Sequence, residues 1–181
     1  GQGLMPFLLA GFMQEQAKVW GIDAEKRYIQ RAKQKARKAE KNSDRRFIFQ
    51  EGDAYQLPFE DESMDLVMCQ TLLIHLKDPK AALLEMKRVT KKGGMILTLE
   101  PNNIAANLMF DTYAQTDFEP EDLLENLEIK LRAEKGKRAL GEGFNSIGEV
   151  MPDLMNQMGM TDIQIFLSDK CLNLIPPYDT K

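Results

Sequence analysis

Two short stretches decide the fold, Gly1-Gln-Gly3 and Lys18-Val-Trp-Gly-Ile-Asp23. The first is a glycine-rich turn that leads into an apolar helical segment, and the second is an apolar strand that ends on an acid. Twenty residues separate Gly3 from Asp23. This is the usual interval between a turn that lets backbone approach a nucleotide-like ligand and the carboxylate that binds a ribose hydroxyl after the next parallel strand. The pattern predicts a nucleoside site.

Predicted strands and helices alternate from here to Pro101. Apolar runs predict strands at 19–22, 47–51, 65–69 and 95–100. Helices are expected at 4–16, from just after Asp23 to about Lys41, and from Pro79, capped by Asp78, to the pair Gly93-Gly94. This alternation predicts an α/β fold with a doubly wound, mostly parallel sheet and its ligand at the carboxyl ends of the strands.

The alternation ends after Pro101, and the segment from Asn102 to Phe144 shows no convincing strand. We expect it to be a helical cap over a substrate pocket, with a dimerisation arm or packing helix as the alternative. Leucines at 123, 124, 127 and 131 predict an amphipathic helix that begins at Pro120. The side chains expected to form an apolar wall are Phe110, Tyr113, Phe118 and Phe144.

The remaining residues predict one more helix and a terminal hairpin. Ser146-Ile-Gly-Glu149 has the pattern of a capping box, which predicts a helix ending near Gly159. The runs Thr161–Leu167 and Cys171–Ile175 predict two antiparallel strands.

Length and charge limit the possible functions. A chain of 181 residues with 43% hydrophobic content predicts a single domain. A net charge of −4 argues against general binding to nucleic acid or to an anionic membrane. The basic run from Lys26 to Arg46 is interpreted as a solvated helix face, with RNA contact as the minor alternative. Cys69 and Cys171 are expected to be reduced in a cytoplasmic protein, and no residues have metal-ligand spacing.

The glycine turn raises a question about the sheet. Such a turn normally follows a central buried strand, yet no residue precedes Gly1 in this sequence. We therefore expect the first strand to come from residues before Gly1, from another segment or from another chain, because a folded sheet leaves few buried backbone groups unpaired.

Beyond these patterns, the chain resembles the class I S-adenosylmethionine-dependent methyltransferases. The resemblance extends from Gly1 to about Pro101, and its segments occur in the order and at the spacing of that family. They are Gly1-Gln-Gly-Leu, Val19-Trp-Gly-Ile-Asp23, Gln50-Glu-Gly-Asp-Ala54, Leu57-Pro-Phe-Glu-Asp-Glu-Ser-Met-Asp-Leu-Val67, His75-Leu-Lys-Asp-Pro79 and Arg88-Val-Thr-Lys-Lys-Gly-Gly-Met-Ile-Leu97. The resemblance implies a Rossmann-like sheet of seven strands, the last antiparallel.

The resemblance also implies a cofactor, S-adenosyl-L-methionine, and residues that bind it. Gly1 and Gly3 would hold its methionine part, Asp23 its ribose, and Asp53 with Ala54 its adenine. Cys69, Gln70 and Thr71 would line the pocket near the sulfonium. Taken singly, Asp23 is equally well interpreted as a helix N-cap and Asp53 as a turn residue.

The expected function is methyl transfer to a small-molecule acceptor. A dedicated base is optional, and His75 and Glu100 are the candidates because strand ends face the ligand. A structural or pocket-lining role is the favoured alternative for His75. A non-catalytic cofactor-binding sensor or partner subunit is the first rival. A nicotinamide-dependent reductase is the second, disfavoured because Pro6 stands where a third glycine belongs.

Overall fold

Two pairs of parallel strands organise the part of the chain that the structure describes. The computed structural model of this protein describes residues 4–14, 16–40, 46–103 and 119–166. Strand β1 (Lys18–Asp23) pairs with β2 (Arg46–Glu51), and β3 (Met64–Gln70) pairs with β4 (Thr90–Leu99). Within the described ranges, no strand is hydrogen-bonded between β1 and β3. The predicted α/β alternation with parallel strands is confirmed.

Helices connect and follow these strands. They are α1 (Leu4–Ala10), α2 (Lys26–Ala39), α3 (Pro79–Val89), α4 (Pro120–Leu140) and α5 (Met151–Gln157). Among these described helices, none combines the length and the apolar character needed to cross a bilayer. By its backbone contacts the chain divides into two units, Gly1–Glu149 and Val150–Lys181, and α5 belongs to the second.

The core of the first strand pair lies between its sheet face and α2. Ile29, Ala32 and Ala36 recur every three or four residues, so they share one face of α2, and all three are buried. They cluster with Val19 of β1 and with Phe47 and Phe49 of β2. The helix that the sequence predicts after Asp23 is thus confirmed, and the spacing of these three residues accounts for its buried face.

Gly21 allows the two strands to pack this closely. A Cβ atom at this position would lie 2.3 Å from the Phe49 ring, well inside van der Waals contact. The absence of a side chain at Gly21 is thus a packing requirement within β1, and any larger residue would displace the ring.

The second strand pair is covered by α3. Asp78 Oδ1 accepts a hydrogen bond from the Ala81 backbone N–H at 3.0 Å, which confirms the predicted N-cap. Ala82, Leu83, Met86 and Val89 form the buried face of this helix, which packs on β3 and β4.

Three boundaries differ from those that the sequence predicts. Helix α1 ends at Ala10 instead of Gln16, because Gly11 begins a turn. Helix α3 ends at Val89, and β4 begins at once at Thr90. Gly93 and Gly94 then lie inside the strand at a register irregularity, with Gly93 at φ +75°.

The C-terminal predictions are only partly matched. Ile147–Glu149 form a 3-10 turn, and α5 begins only at Met151, because Pro152 is compatible with the first turn of a helix but not with its interior. Thr161–Phe166 form no strand, and the rest of the predicted hairpin, from Leu167 to Ile175, lies outside the described residues.

Candidate functional site

The first part of the site lies at the carboxyl ends of β1 and β2. Asp23 is the last residue of β1 and pairs in register with Glu51, the last residue of β2. The Gly52 backbone N–H donates to the Asp23 carbonyl oxygen at 3.1 Å, and Asp53 follows directly. The topology therefore brings together the two acids that the sequence predicts for the ribose and the adenine.

Each of these acids also binds its own loop. Asp23 Oδ1 accepts from the Glu25 N–H at 2.8 Å, and Asp53 Oδ1 accepts from the Tyr55 N–H at 2.9 Å. Both are Asx-type turns. For Asp53 this is the turn role that the sequence left open, whereas the alternative of a helix N-cap is wrong for Asp23, because the N-cap of α2 is Glu25. A carboxylate has several acceptor sites on two oxygens, so a single backbone hydrogen bond of this kind does not occupy all of them.

The second part of the site lies at the carboxyl ends of β3 and β4. Gln70 pairs in register with Leu99, and the Thr71 N–H donates to the Leu99 carbonyl at 2.9 Å. Thr71 has φ +49°, a left-handed conformation that costs a β-branched residue roughly 1–2 kcal/mol. The chain thus leaves β3 through a strained residue at the position that the resemblance places near the sulfonium.

The side chain of Glu100, just after β4, holds the turn that follows Thr71. Its Oε1 accepts the backbone N–H groups of Leu72 at 2.9 Å and Leu73 at 3.1 Å, and its Oε2 accepts that of Ile74 at 3.4 Å. Leu73–His75 form a 3-10 turn, so the carboxylate satisfies the donors at the start of this turn. Sequence reasoning selected Glu100 as a base candidate but missed this role.

Cys69 is buried beneath the same carboxylate. Its thiol donates to Glu100 Oε1 with an S···O distance of 3.6 Å. Burial, followed by the negative charge and hydrogen bonding of Glu100, raises the pKa of Cys69 far above its ordinary value. Cys69 therefore stays a protonated thiol at neutral pH and does not act as a nucleophile.

His75 ends the 3-10 turn and is exposed. The preceding carbonyl, that of Ile74, accepts the backbone N–H of Phe144 at 3.1 Å and the Nζ of Lys137 at 3.4 Å. Phe144 itself lies under the guanidinium of Arg138, with the carbon of that group 3.5 Å from the ring centroid. The end of the predicted cap segment is thus attached to the loop that carries His75.

Of the four aromatic residues expected to form the apolar wall, Phe144 alone lies within the described residues. Phe110, Tyr113 and Phe118 lie outside the described residues, as do Gly1 and Gly3. The predicted helix is confirmed as α4, which begins at Pro120, but its leucines do not form the predicted apolar face, because Leu124 and Leu131 are exposed. Glu134 on this helix is buried and accepts the Asn145 N–H at 2.7 Å, so the chain after α4 folds back onto it.

One cluster received no role from the sequence, although all of its residues except Glu85 lie within the motifs quoted above. Arg88 donates to the carbonyl oxygens of Leu57 at 3.1 Å and Phe59 at 2.9 Å, and to Asp61 Oδ1 at 2.6 Å. Glu85 Oε1 accepts the Leu57 N–H at 2.8 Å. These two α3 side chains hold the loop that continues from Asp53. The contacts join residues 27 to 31 positions apart in the chain, so no local sequence pattern indicates them.

The same loop also contacts β1 and the start of α3. The Trp20 and Phe59 rings meet edge-to-face with centroids 5.4 Å apart. The Tyr55 hydroxyl oxygen accepts the Asp78 N–H at 3.1 Å. The loop after β2 therefore connects the first strand pair to the helix of the second. Within the described ranges, no three His, Cys, Asp or Glu side chains are grouped to hold a metal ion.

Comparison with known proteins assigns this arrangement to a family. Residues 1–98 match the family model of a methyltransferase domain. An uncharacterized methyltransferase of Schizosaccharomyces pombe is 36% identical over 94 residues, which are 50% of this chain and 34% of that protein. The demethylmenaquinone methyltransferase of Staphylococcus aureus is 43% identical over 63 residues, or 35% of this chain and 26% of that enzyme. The chain thus spans about a third or less of these relatives.

A solved structure agrees with the sequence relatives. The S-adenosylmethionine-dependent methyltransferase of Methanosarcina mazei superposes with a TM-score of 0.50 and 28% identity, covering 60% of this chain and 52% of that one. Strand ends, motifs and comparisons lead to the same assignment. The chain belongs to the class I S-adenosylmethionine-dependent methyltransferases, a family whose cofactor is S-adenosylmethionine.

Proposed function

We propose that this protein transfers the methyl group of S-adenosylmethionine to a small-molecule acceptor. The observation that carries the proposal is the placement of Asp23 and Asp53 at the carboxyl ends of adjacent parallel strands. Two ionised carboxylates suit a ribose diol and an exocyclic amine, because a carboxylate only accepts hydrogen bonds and these groups donate them. The family shares this cofactor, and the residues present fit it.

Asp23 would hold the ribose, and Asp53 with Ala54 the adenine. The loop that follows Asp53 is fixed by Arg88 and Glu85, so the adenine side of the site is ordered before the ligand arrives. Cys69, Gln70 and Thr71, with the turn behind them, would form the wall nearest the transferred group. Cys69 supports this wall from beneath, whereas Gln70 and Thr71 are exposed.

S-adenosylmethionine, held by Asp23 and Asp53, would supply an activated methyl group for transfer to the acceptor, with S-adenosylhomocysteine as the other product. The remaining work of the protein is to align the acceptor and exclude water, which can supply several kcal/mol of the barrier. His75 is exposed beside the site and is the candidate to accept a proton from the acceptor. Glu100 already accepts three backbone N–H groups, which favours a holding role over proton transfer.

The acceptor class rests on separate support. The chain carries a net charge of −4, which disfavours a polyanionic substrate. The Staphylococcus relative acts on demethylmenaquinone, as its name states. Lys137 and Phe144 attach the segment 119–144 to the loop after β3. This attachment supports our proposal that the segment caps an acceptor pocket.

Calorimetric titration with S-adenosylmethionine tests the cofactor site. Asp23→Asn and Asp53→Asn keep an oxygen for the local turn but remove the charge, so we expect each to weaken binding by about tenfold. Asp65→Asn is the matched control, because Asp65 is exposed near the amino end of β3. Equal affinity in all four proteins would contradict the assignment.

Turnover separates an enzyme from a sensor. The protein is incubated with S-adenosylmethionine and a panel of small acceptors that includes a demethylated quinol, and formation of S-adenosylhomocysteine is followed. We expect acceptor-dependent product. Tight cofactor binding with no product from any acceptor would favour the alternative of a non-catalytic binding protein.

A further inference from the structure

Glu100 provides an unusual long-range cap for a functional turn. The N-terminal donors of a short helical turn are normally satisfied by a neighbour in sequence. Here the donors belong to Leu72, Leu73 and Ile74, and the acceptor lies 26 to 28 positions further along the chain. A single carboxylate from the end of β4 therefore determines where the backbone after β3 lies.

The turn that Glu100 holds begins with a conformation that does not persist by itself. Thr71 is left-handed at φ +49°, and such strain survives only where the surroundings impose it. On one side the Thr71 N–H binds the Leu99 carbonyl, and on the other the next three N–H groups bind Glu100. Two acceptors at the carboxyl end of β4, the Leu99 backbone carbonyl and the Glu100 side-chain carboxylate, thus hold the backbone on both sides of Thr71.

The same turn connects to the cap segment. The Ile74 N–H binds Glu100, whereas the Ile74 carbonyl binds the Phe144 N–H and Lys137 Nζ. Loss of the carboxylate would therefore disturb Thr71, His75 and the attachment of the cap segment at the same time.

We propose that Glu100 is a positioning residue, whose charged carboxylate fixes the turn from Thr71 to His75 in the geometry that methyl transfer requires. This role rests on the proposed function, and it differs from the role of a general base. A base would exchange a proton with the acceptor. A positioning carboxylate exchanges no proton with the acceptor and acts through the backbone donors that it binds.

Hydrogen exchange of the protein without cofactor tests the structural half of this proposal. Glu100→Gln keeps the shape of the side chain, and Glu100→Ala removes the acceptor of the three N–H groups. Glu125→Gln, at an exposed position on α4, is the matched control. We expect the amides of Leu72–Ile74 to exchange at least tenfold faster in Glu100→Ala, with Glu100→Gln intermediate. Amides of β1 and β2 should not change, and neither should any amide in Glu125→Gln.

Kinetics test the functional half. Glu100→Gln should lower kcat about tenfold with less than a threefold change in KM for S-adenosylmethionine, and the pH profile should keep its shape. Loss of a limb of that profile would show a base and overturn the proposal. Unchanged exchange at Leu72–Ile74, or faster exchange with unchanged kcat, would also overturn it.

Failure of the role proposed for Glu100 can be distinguished from failure of the proposed methyl transfer. Failure of methyl transfer itself shows as absence of product in the wild-type protein with every acceptor, and positioning for methyl transfer would fall with it. The exchange experiment is independent of acceptor, so it still decides whether Glu100 holds the turn. If Glu100→Ala does not fold, Glu100→Gln carries both measurements.

Discussion

Arg88 and Glu85 form a two-pronged ion pair on α3, with Nη2 2.6 Å from Oε1 and Nε 2.8 Å from Oε2. Both side chains also hydrogen-bond the loop after β2. Glu85 accepts the Leu57 N–H, and Arg88 donates to the carbonyl oxygens of Leu57 and Phe59. A paired guanidinium and carboxylate on α3 thus hold the loop that begins at the proposed adenine acid.

Replacing Arg88 by lysine should weaken cofactor binding. An ammonium group keeps the charge but cannot reproduce the planar fork that reaches Glu85 and two carbonyls at once. We expect Arg88→Lys to raise the Kd for S-adenosylmethionine several-fold and to lower Tm by several degrees. Arg132→Lys is the matched control, because within the described residues the Arg132 side chain pairs with Glu128 alone, and both side chains are exposed on α4. Equal effects of the two substitutions would refute the specific role of the loop.

The same pair predicts an acid-dependent contribution to stability. The hydrogen bond from Arg88 holds the pKa of Glu85 below its ordinary value, so the folded protein binds this proton more weakly than the unfolded chain. The stabilising effect is therefore complete above the unfolded pKa, near 4.3, and is lost as the pH falls through the lower folded value. Wild-type Tm should exceed that of Glu85→Gln at pH 7, and the difference should shrink as the pH falls below about 4.3. A difference that is constant over this range would contradict the mechanism.

The strand and helix pattern was largely predictable because each element carries its own signal. The spacing of Ile29, Ala32 and Ala36 reports the buried face of α2, and Asp78-Pro79 marks the start of α3. Parallel topology then follows from the alternation, and it places Asp23 beside Asp53.

The supporting contacts could not be predicted in this way. The contacts of Glu100 with Leu72 and of Arg88 with Leu57 join residues about thirty positions apart, and no local rule specifies them. The two glycines at 93 and 94 were expected to end a helix, but they serve an irregularity in β4 instead. A glycine pair indicates that the regular backbone changes there, and tertiary pairing decides how.

Removing the cap of α3 should destabilise the second strand pair. Asp78 Oδ1 satisfies the Ala81 N–H, so Asp78→Ala is expected to cost about 1 kcal/mol of unfolding free energy. Asp78→Ser retains a capping oxygen and should recover most of this loss. Denaturant unfolding of the three proteins measures it. Equal losses in the two variants would show that the side chain acts in some other way.

The Cys69 thiol should resist alkylation. It is 7% exposed, and its raised pKa keeps it protonated across the range in which ordinary thiols ionise. In native protein at pH 8.5, peptide mass spectrometry should show that iodoacetamide labels Cys69 at least a hundredfold more slowly than it does in urea. Rapid native labelling that rises with pH near 8.5 would contradict the burial and the partner carboxylate.

Gly143 lies where the chain after α4 approaches the turn that carries His75. A Cβ atom there would lie 2.0 Å from the Ile74 carbonyl oxygen, and the residue has φ +100°. Gly143→Ala must therefore move one backbone segment, at a cost of about 2 kcal/mol or more. Gly136→Ala is the matched control on α4, because nothing lies within 4 Å of its Cβ position and alanine favours the helix by about 1 kcal/mol. Denaturant unfolding should give changes in unfolding free energy of opposite sign for the two variants, and equal stability of the two variants would disprove the close approach.

Because Gly143 packs on the turn held by Glu100, its variant should also lower kcat more than it changes the Kd for S-adenosylmethionine.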